Sequence, residues 1–164
     1  MFSYEKYEIR LESIGGLGAN LVGKLLGQLG AEYMELNAQS FASYGSEKRG
    51  SPVKAYIRYS NPDKEIRINC PVEKPDLLGI FNISLGGEEN VTAGVDEHTN
   101  IVVNTILSPE ETRDRLKLYG GNLWCIDAIK NWHKSKYGTF RCYCKGKWLY
   151  SFGKSSTAGY RYFG

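Results

Sequence analysis

A glycine-rich turn stands where the first predicted strand gives way to the first predicted helix. Gly15, Gly16 and Gly18 follow a short alternating strand over residues 7–11, and apolar residues then recur at helical spacing over residues 20–29. Glycine permits positive φ and lets the backbone approach a phosphate closely, while a helix N-terminus supplies free N–H donors. The turn is therefore a candidate pyrophosphate-binding site, although tight strand–helix turns also need glycine for packing alone.

A complete dinucleotide fingerprint is absent from the sequence. Glu32 and Glu35 follow the predicted helix, but Glu35 is embedded in a strand-like run, too close to the turn for the usual ribose-binding acid. His98 and His133 have no sensible catalytic partner nearby in sequence, and His98 is predicted to be a surface loop residue. A free nicotinamide dehydrogenase is accordingly a poor interpretation.

The four cysteines do not form a cluster or metal motif. No Cys-x-x-Cys-x-x-Cys run occurs. Cys70 and Cys125 lie far apart in strand-like runs and are predicted to be inert buried thiols. Cys142 and Cys144 are too closely spaced for a standard structural zinc pair. The sequence therefore predicts no metal site and no catalytic residue in this chain.

Strand and helix patterns alternate over the first 130 residues. After the first helix, which Gly30 is expected to end, the predicted elements are a strand at 33–38, a loop at 43–52, a hairpin formed by 53–59 and 65–70, buried strands at 76–81 and 100–104, a helix at 108–118 and a strand at 123–127. Ser108, Pro109 and Glu111 give the second helix a capping box with proline at its first position. This order predicts an α/β fold: a three-layer sandwich with a mostly parallel sheet and an inserted antiparallel hairpin.

The loop at residues 43–52 carries a specific resemblance. It reads Ser-Tyr-Gly-Ser-Glu-Lys-Arg-Gly-Ser-Pro, follows the glycine turn and precedes a strand. In this it resembles the gamma subunit or domain of the 2-oxoacid:ferredoxin oxidoreductases, the pyruvate synthase group, whose loop reads Ser-Tyr-Gly-x-Glu-x-Arg-Gly-x-Pro. Two further matches are Pro75-Asp76 before an apolar strand and Cys125-Ile126-Asp127-Ala128 at the last strand. The resemblance covers about residues 7–130, with Ser13 and Leu17 in place of the Gly and Gln of the family's glycine turn.

The resemblance implies a function for the chain as one component of a complex. Such complexes decarboxylate pyruvate or a related 2-oxoacid on thiamine diphosphate, pass electrons through iron–sulfur clusters to ferredoxin, and make an acyl-CoA. Thiamine diphosphate and [4Fe-4S] clusters are expected on partner subunits, namely thiamine-binding alpha and beta subunits and a ferredoxin-like delta subunit. The gamma part is expected to help hold coenzyme A and to cover the active site. A cytoplasmic location is expected, with neither nucleic acid nor membrane as a partner.

The glycine turn and the loop supply the predicted binding residues. Coenzyme A carries a pyrophosphate and a 3′-phosphate, and Lys48 and Arg49 add positive charge and donors beside Gly15, Gly16 and Gly18. The other loop residues are expected to fix the loop or to dock on a partner subunit; they are Ser43, Tyr44, Gly45, Glu47, Gly50 and Pro52. Phosphate contact and subunit docking both remain open for the loop. The alternative function is a stand-alone coenzyme A or nucleotide-binding module without catalytic activity.

The positive charge of the chain is concentrated at its C-terminal end. The 164 residues carry a formal net charge of +3, and 41% of them are hydrophobic, which suits one domain with a core. Residues 1–130 have 14 Lys and Arg against 18 Asp and Glu, a net charge of −4, whereas residues 131–164 have 7 Lys and Arg and no acid. The predicted domain is therefore mildly acidic, and the overall basicity is no argument for nucleic acid.

Residues 131–164 form a basic, aromatic tail without helical periodicity, convincing strand alternation or capping signals. The C-terminal helices of the family are thus predicted to be lost. Codons for Asn131–Lys134, read one base later, can give Ile-Gly-Ile-Lys, and codons for Lys147–Lys154 can give Asn-Gly-Phe-Ile-Pro-Leu-Glu, as the family has there. We interpret the tail as out of frame; the rival interpretation is a genuine tail that binds single-stranded nucleic acid.

Overall fold

A single sheet organises the protein in the computed structural model, which describes residues 6–45, 51–87, 90–128, 130, 139–144 and 147–152. Within these residues, eight strands follow one another across the sheet in the order β2-β3-β1-β4-β5-β6-β7-β8. The strands are β1 (Lys6–Ile14), β2 (Asn37–Tyr44), β3 (Pro52–Ser60), β4 (Leu77–Ile80), β5 (Asn100–Asn104), β6 (Asn122–Ile126), β7 (Thr139–Cys144) and β8 (Lys147–Phe152). The helices whose bounds lie within the described residues are α1 (Ala19–Glu32) and α2 (Pro109–Leu116), with a 3-10 helix at Ile83–Gly87.

The four central strands β1, β4, β5 and β6 are parallel to one another, and antiparallel strands flank them on both sides. Residues that pair across neighbouring strands share a face of the sheet: Ile9 pairs with Leu77 on one face, and Leu78 pairs with Ile101 on the other. The predicted α/β class, with a parallel sheet and an antiparallel hairpin, is confirmed.

The hairpin is made by a different pair of segments from the predicted pair. β3 pairs with β2 along its whole length and with β1 on its other edge. Residues 65–70, predicted as the second arm, form no strand. Since both edges of β3 are taken, this segment lies over the strand instead, where the carbonyl oxygen of Cys70 accepts a 2.6 Å hydrogen bond from Arg58. Cys70 is exposed, so its prediction as a buried thiol in a strand is wrong.

Helix α1 covers one face of the sheet through a row of glycines. Ile9, Leu11 and Ala55 form the core beneath it. A Cβ on Gly23 would lie 3.1 Å from the Cβ of Ala55, and one on Gly27 would lie 3.0 Å from the Cβ of Ser40. The missing side chains let the helix approach the strands closely. Gly30 likewise leaves room for the ring of Tyr59, and it lies inside α1 rather than at its end. The helix continues to Glu32, and β2 begins later than the predicted strand at 33–38.

The second core lies on the other face of the sheet. Leu78, Ile80, Ile101 and Val103 pack there against Leu116 of α2. The predicted capping box of α2 is present: the backbone N–H of Glu111 donates to the Ser108 hydroxyl at 3.2 Å, and the Ser108 N–H donates to the Glu111 carboxylate at 2.9 Å. Among the described elements, α1 on one face of the sheet and α2 on the other give the predicted three layers.

The tail forms two strands where the sequence indicated no convincing alternation. β7 pairs with β6 at Cys125–Tyr143, and β8 pairs with β7 from Thr139–Phe152 to Cys144–Lys147. The edge of β6 opposite β5 offers N–H and C=O groups with which β7 can pair, and the aromatic composition of the two tail segments favours an extended backbone. Residues 131–138, 145–146 and 153–164 lie outside the described residues. The domain boundary near residue 130 and the frame of the tail stay predictions.

Candidate functional site

The glycine turn lies open to solvent at the C-terminal end of β1. Gly16 and Gly18 have φ of 94° and 88°, a left-handed conformation that L side chains rarely adopt. A Cβ on either residue would have no atom within 4 Å, so backbone conformation rather than crowding requires glycine at both positions. Leu17, between them, is 48% exposed. The space above the turn is therefore available to a ligand.

The N-terminus of α1 starts directly from this turn. Gly18 is its N-cap, and no side chain among the described residues caps the helix. The first turn also contains no acidic residue. The first N–H groups of a helix lack partners within the helix and carry a partial positive charge. The turn thus offers a phosphate or carboxylate a set of backbone donors with no competing carboxylate in the first turn.

The predicted loop is tied to the glycine turn at its base. The backbone N–H of Gly15 donates to the carbonyl oxygen of Ser51 at 3.0 Å, and the N–H of Gly45 donates to the carbonyl oxygen of Pro52 at 3.0 Å. Asn20 in the first turn of α1 donates to the Tyr44 hydroxyl at 2.5 Å. The bonds from Gly15 and Asn20 bring together two motifs that are separated by about 25 residues of sequence, and the bond from Gly45 closes the base of the loop.

Most of the predicted site residues lie among the described residues, and the others lie outside them. Gly15, Gly16 and Gly18 line the turn, and the loop residues at the ends of β2 and β3 are Ser43, Tyr44, Gly45 and Pro52. The predicted cations Lys48 and Arg49 lie outside the described residues, as do Glu47 and Gly50. Their roles remain predictions, and so does the choice between phosphate contact and docking.

Cys125 and His98 have the exposure that the sequence predicts. Cys125 is buried, as predicted; burial raises the pKa of its thiol, which lies 3.5 Å from the Thr112 hydroxyl. His98 is exposed, as predicted, with its ring 3.6 Å from the Glu97 carboxylate.

Among the described residues no group of three or more His, Cys, Asp or Glu side chains could hold a metal ion. Neither of the two helices described is long and apolar enough to cross a membrane.

A buried row of charged side chains on β1 and β3 was not predicted from the sequence. Arg10, Glu12 and Arg58 alternate with apolar residues along β1 and β3, a pattern that predicts a solvated outer face. Instead they are 4%, 1% and 1% exposed, because loops fold over this face of the sheet. Complementary charges at register partners were the available signal: Arg58 bonds to Glu8 at 2.6 Å, and Lys54 lies 3.1 Å from Glu12.

Comparisons with known proteins identify the family to which this fold belongs. The family model for pyruvate ferredoxin/flavodoxin oxidoreductase matches residues 8–139. The chain belongs to this family. The gamma subunit common to the pyruvate and ketoisovalerate oxidoreductases of Thermococcus kodakarensis is 37% identical over 122 residues, which cover 74% of this chain and 64% of that subunit. The chain thus spans somewhat less than two thirds of that relative's length.

Solved structures show the same fold. The pyruvate oxidoreductase subunit PORC of Thermotoga maritima superposes with a TM-score of 0.66 at 24% identity, covering 77% of this chain and 65% of that one. The 2-oxoglutarate:ferredoxin oxidoreductase of Magnetococcus marinus, solved with 2-oxoglutarate, coenzyme A and succinyl-CoA bound, gives a TM-score of 0.60 at 17% identity, covering 82% of this chain and 22% of that one. Within a much longer chain, the same fold is therefore one part of a larger enzyme.

Proposed function

We propose that the chain is the gamma component of a 2-oxoacid:ferredoxin oxidoreductase, which converts pyruvate or a related 2-oxoacid to an acyl-CoA and reduces ferredoxin. Family membership and the gamma-subunit relative support this assignment. The component would work in the cytoplasm with thiamine-binding alpha and beta subunits and a ferredoxin-like delta subunit. Thiamine diphosphate and the [4Fe-4S] clusters would belong to those partners.

Within this complex, we propose that the chain helps to hold coenzyme A and covers the active site of its partners. The observation that carries the proposal is the hydrogen bond between Gly15 and Ser51, which sets the glycine turn beside the loop. The N–H groups at the start of α1 would donate hydrogen bonds to the pyrophosphate, and Lys48 and Arg49 would supply positive charge to the phosphates. The chain's contribution would then be to bind, orient and exclude water, while partner subunits carry out the chemistry.

The alternative, a stand-alone coenzyme A or nucleotide-binding module, shares this site but needs no partner. The relative compared above is named as a subunit, and that favours the complex. Co-expression with the alpha and beta components of the complex separates the two. A gamma component should co-purify with a subunit that contains thiamine diphosphate, whereas a chain that binds coenzyme A but elutes alone would contradict the subunit assignment.

The role of the turn can be tested with Gly16→Ala. A side chain at φ of 94° forces the backbone away from the geometry that would present its N–H groups. In the reconstituted complex we expect the KM for coenzyme A to rise about ten-fold, the cost of a lost charge-assisted hydrogen bond, with the KM for the 2-oxoacid unchanged. Gln28→Ala, at the exposed far end of α1, is the control. An unchanged KM for coenzyme A would remove the turn from the site.

A further inference from the structure

Helix α1 turns its glycines toward the sheet and its leucines toward solvent. The glycines are buried, whereas Leu21, Leu25 and Leu29 are 62%, 49% and 47% exposed. An amphipathic helix on the surface of a domain usually has the reverse arrangement, with its large apolar side chains against the core. The outward face of α1 is therefore an apolar surface of the kind that marks an interaction site.

The exposed leucines belong to a row that repeats every four residues. Tyr33, directly after the helix, continues the spacing and is also exposed. Residues four apart are neighbours on a helix surface and about 6 Å apart along its axis, so their side chains form one ridge. We call this ridge the leucine row, made of Leu21, Leu25, Leu29 and Tyr33. The gaps along such a ridge are where the side chains of a second helix pack.

A polar row lies beside the leucine row. It consists of Lys24, Gln28 and Glu32, which are exposed and again four residues apart. Gln28 donates a 2.9 Å hydrogen bond to the Glu32 carboxylate. Lys24 and Glu32 are the only charged residues of α1, so the polar row has a cation at one end and an anion at the other.

Two copies of α1 packed antiparallel through their leucine rows bring both rows into register. A two-fold axis that passes at Gln28, perpendicular to the helices, places each row beside the same row of the other copy. In this register Lys24 lies level with Glu32 of the other copy, because each of them is four residues from Gln28. Each leucine then lies level with a gap in the other copy's leucine row, so the two ridges interleave.

The charges of α1 favour this orientation over a parallel pair. The antiparallel pair contains two ion pairs between Lys24 and Glu32, one on each side of the axis, and its helix dipoles oppose each other. A parallel pair would place the two polar rows on opposite edges of the interface, where neither charge meets its counterpart, and its dipoles would repel. The outward face of α1 is therefore complementary to a second copy of itself.

We propose that the leucine row of α1 is an interface between two copies of this chain, with the helices antiparallel and Lys24 paired with Glu32 of the other copy. One pair of four-turn helices makes a small interface, so the dimer should form at about 10 μM rather than at nanomolar concentration. Leu17, in the glycine turn, falls beyond the end of the other copy's helix in this register. The proposal therefore does not depend on the binding of coenzyme A.

Sedimentation velocity of the full-length chain over about 1–200 μM tests the proposal and should show a monomer–dimer equilibrium. Leu25→Glu places a carboxylate in the ridge and should weaken dimerisation about ten-fold or more. Ile68→Glu is the matched control, because Ile68 is 47% exposed but belongs to the segment that lies over Arg58 on the other face of the sheet. It should dimerise as the unmodified chain does.

Reversal of the charges tests the orientation. Lys24→Glu and Glu32→Lys each set like charges level with each other, and each should weaken dimerisation about five-fold, because exposed ion pairs are weak and the dimer contains two of them. The double variant Lys24→Glu/Glu32→Lys exchanges the charges and should dimerise within about two-fold of the unmodified chain. Recovery in the double variant separates the pairing of α1 with α1 from nonspecific association of apolar surfaces.

Circular dichroism verifies that each variant is folded. A chain that stays monomeric at about 200 μM, a dimer that Leu25→Glu leaves unchanged, or a double variant no better than the single variants would each overturn the proposal. A monomeric chain whose Leu25→Glu variant no longer co-purifies with the alpha and beta components would assign the leucine row to a partner subunit instead.

Discussion

The backbone N–H of Gly15 donates a 3.0 Å hydrogen bond to the carbonyl oxygen of Ser51. The bond extends the pairing of β1 with β3 past Ile14 and Pro52, the last register pair of the two strands. A turn that precedes a helix and a loop that joins two antiparallel strands are thereby fixed beside each other. Because β3 runs antiparallel to β1, the start of β3 lies beside the end of β1 at one end of the sheet. The contact between the turn and the loop depends on this pairing.

We expect Glu12→Gln to destabilise the protein by about 3–5 kcal/mol. Glu12 is buried between Arg10 and Lys54, and its loss would leave two cations facing each other at low dielectric. The matched control is Glu65→Gln, because Glu65 also pairs with an arginine at 3.0 Å but is 75% exposed, so its loss should cost less than about 1 kcal/mol. Urea unfolding followed by circular dichroism measures both. Equal losses would show that burial does not govern the strength of these pairs.

Gly30→Ala should destabilise the protein by about 1–2 kcal/mol, although alanine is the better helix former. The added Cβ would collide with the ring of Tyr59, whose hydroxyl is fixed by a 2.6 Å bond to the Leu26 carbonyl. The cost of overpacking exceeds the gain in helix propensity of about 1 kcal/mol. Thermal unfolding beside the exposed control Gln28→Ala provides the measurement. A rise in the melting temperature of Gly30→Ala would mean that Tyr59 moves freely.

Ser108→Ala should lower the free energy of unfolding by about 1 kcal/mol, because it removes the acceptor for the Glu111 N–H at the start of α2. Ser84→Ala, at an exposed position in the 3-10 helix, is the control and should change little. The comparison is made by urea unfolding at neutral pH. If both serines cost the same, the capping box contributes nothing measurable.

Acid should weaken the protein through Asp96. Hydrogen bonds from the backbone N–H of His98 at 2.8 Å, and from Thr99, hold the pKa of the Asp96 carboxyl below its ordinary value of 3.8. A lowered folded pKa stabilises the protein above pH 3.8, and this contribution is lost as the pH falls through the folded value. Asp96→Asn keeps an acceptor that does not titrate. The stability difference between the two proteins should stay constant above about pH 5 and shift against the unmodified protein at lower pH; a difference that is constant down to pH 2 would contradict the assignment.

The sequence predicted the parts of the fold that local patterns encode. The capping box at Ser108, the strands β4, β5 and β6 and the glycine turn all follow from residue types within a few positions of one another. The hairpin was assigned to the wrong segment, because pairing partners of a strand are chosen by tertiary contacts. Residues 65–70 alternate like a strand, yet β2 occupies the edge that they would need.

The sequence by itself determined the α/β class, the family resemblance and the two motifs at residues 15–18 and 43–52. Tertiary structure alone decided that these motifs meet through Gly15 and Ser51, since a contact between distant segments depends on how the strands pair. It also decided that Arg10 and Glu12 are buried. Alternation along β1 identifies two faces, but which of them loops cover depends on the path of residues 61–76 and 90–95, and a strand's own sequence does not encode that path.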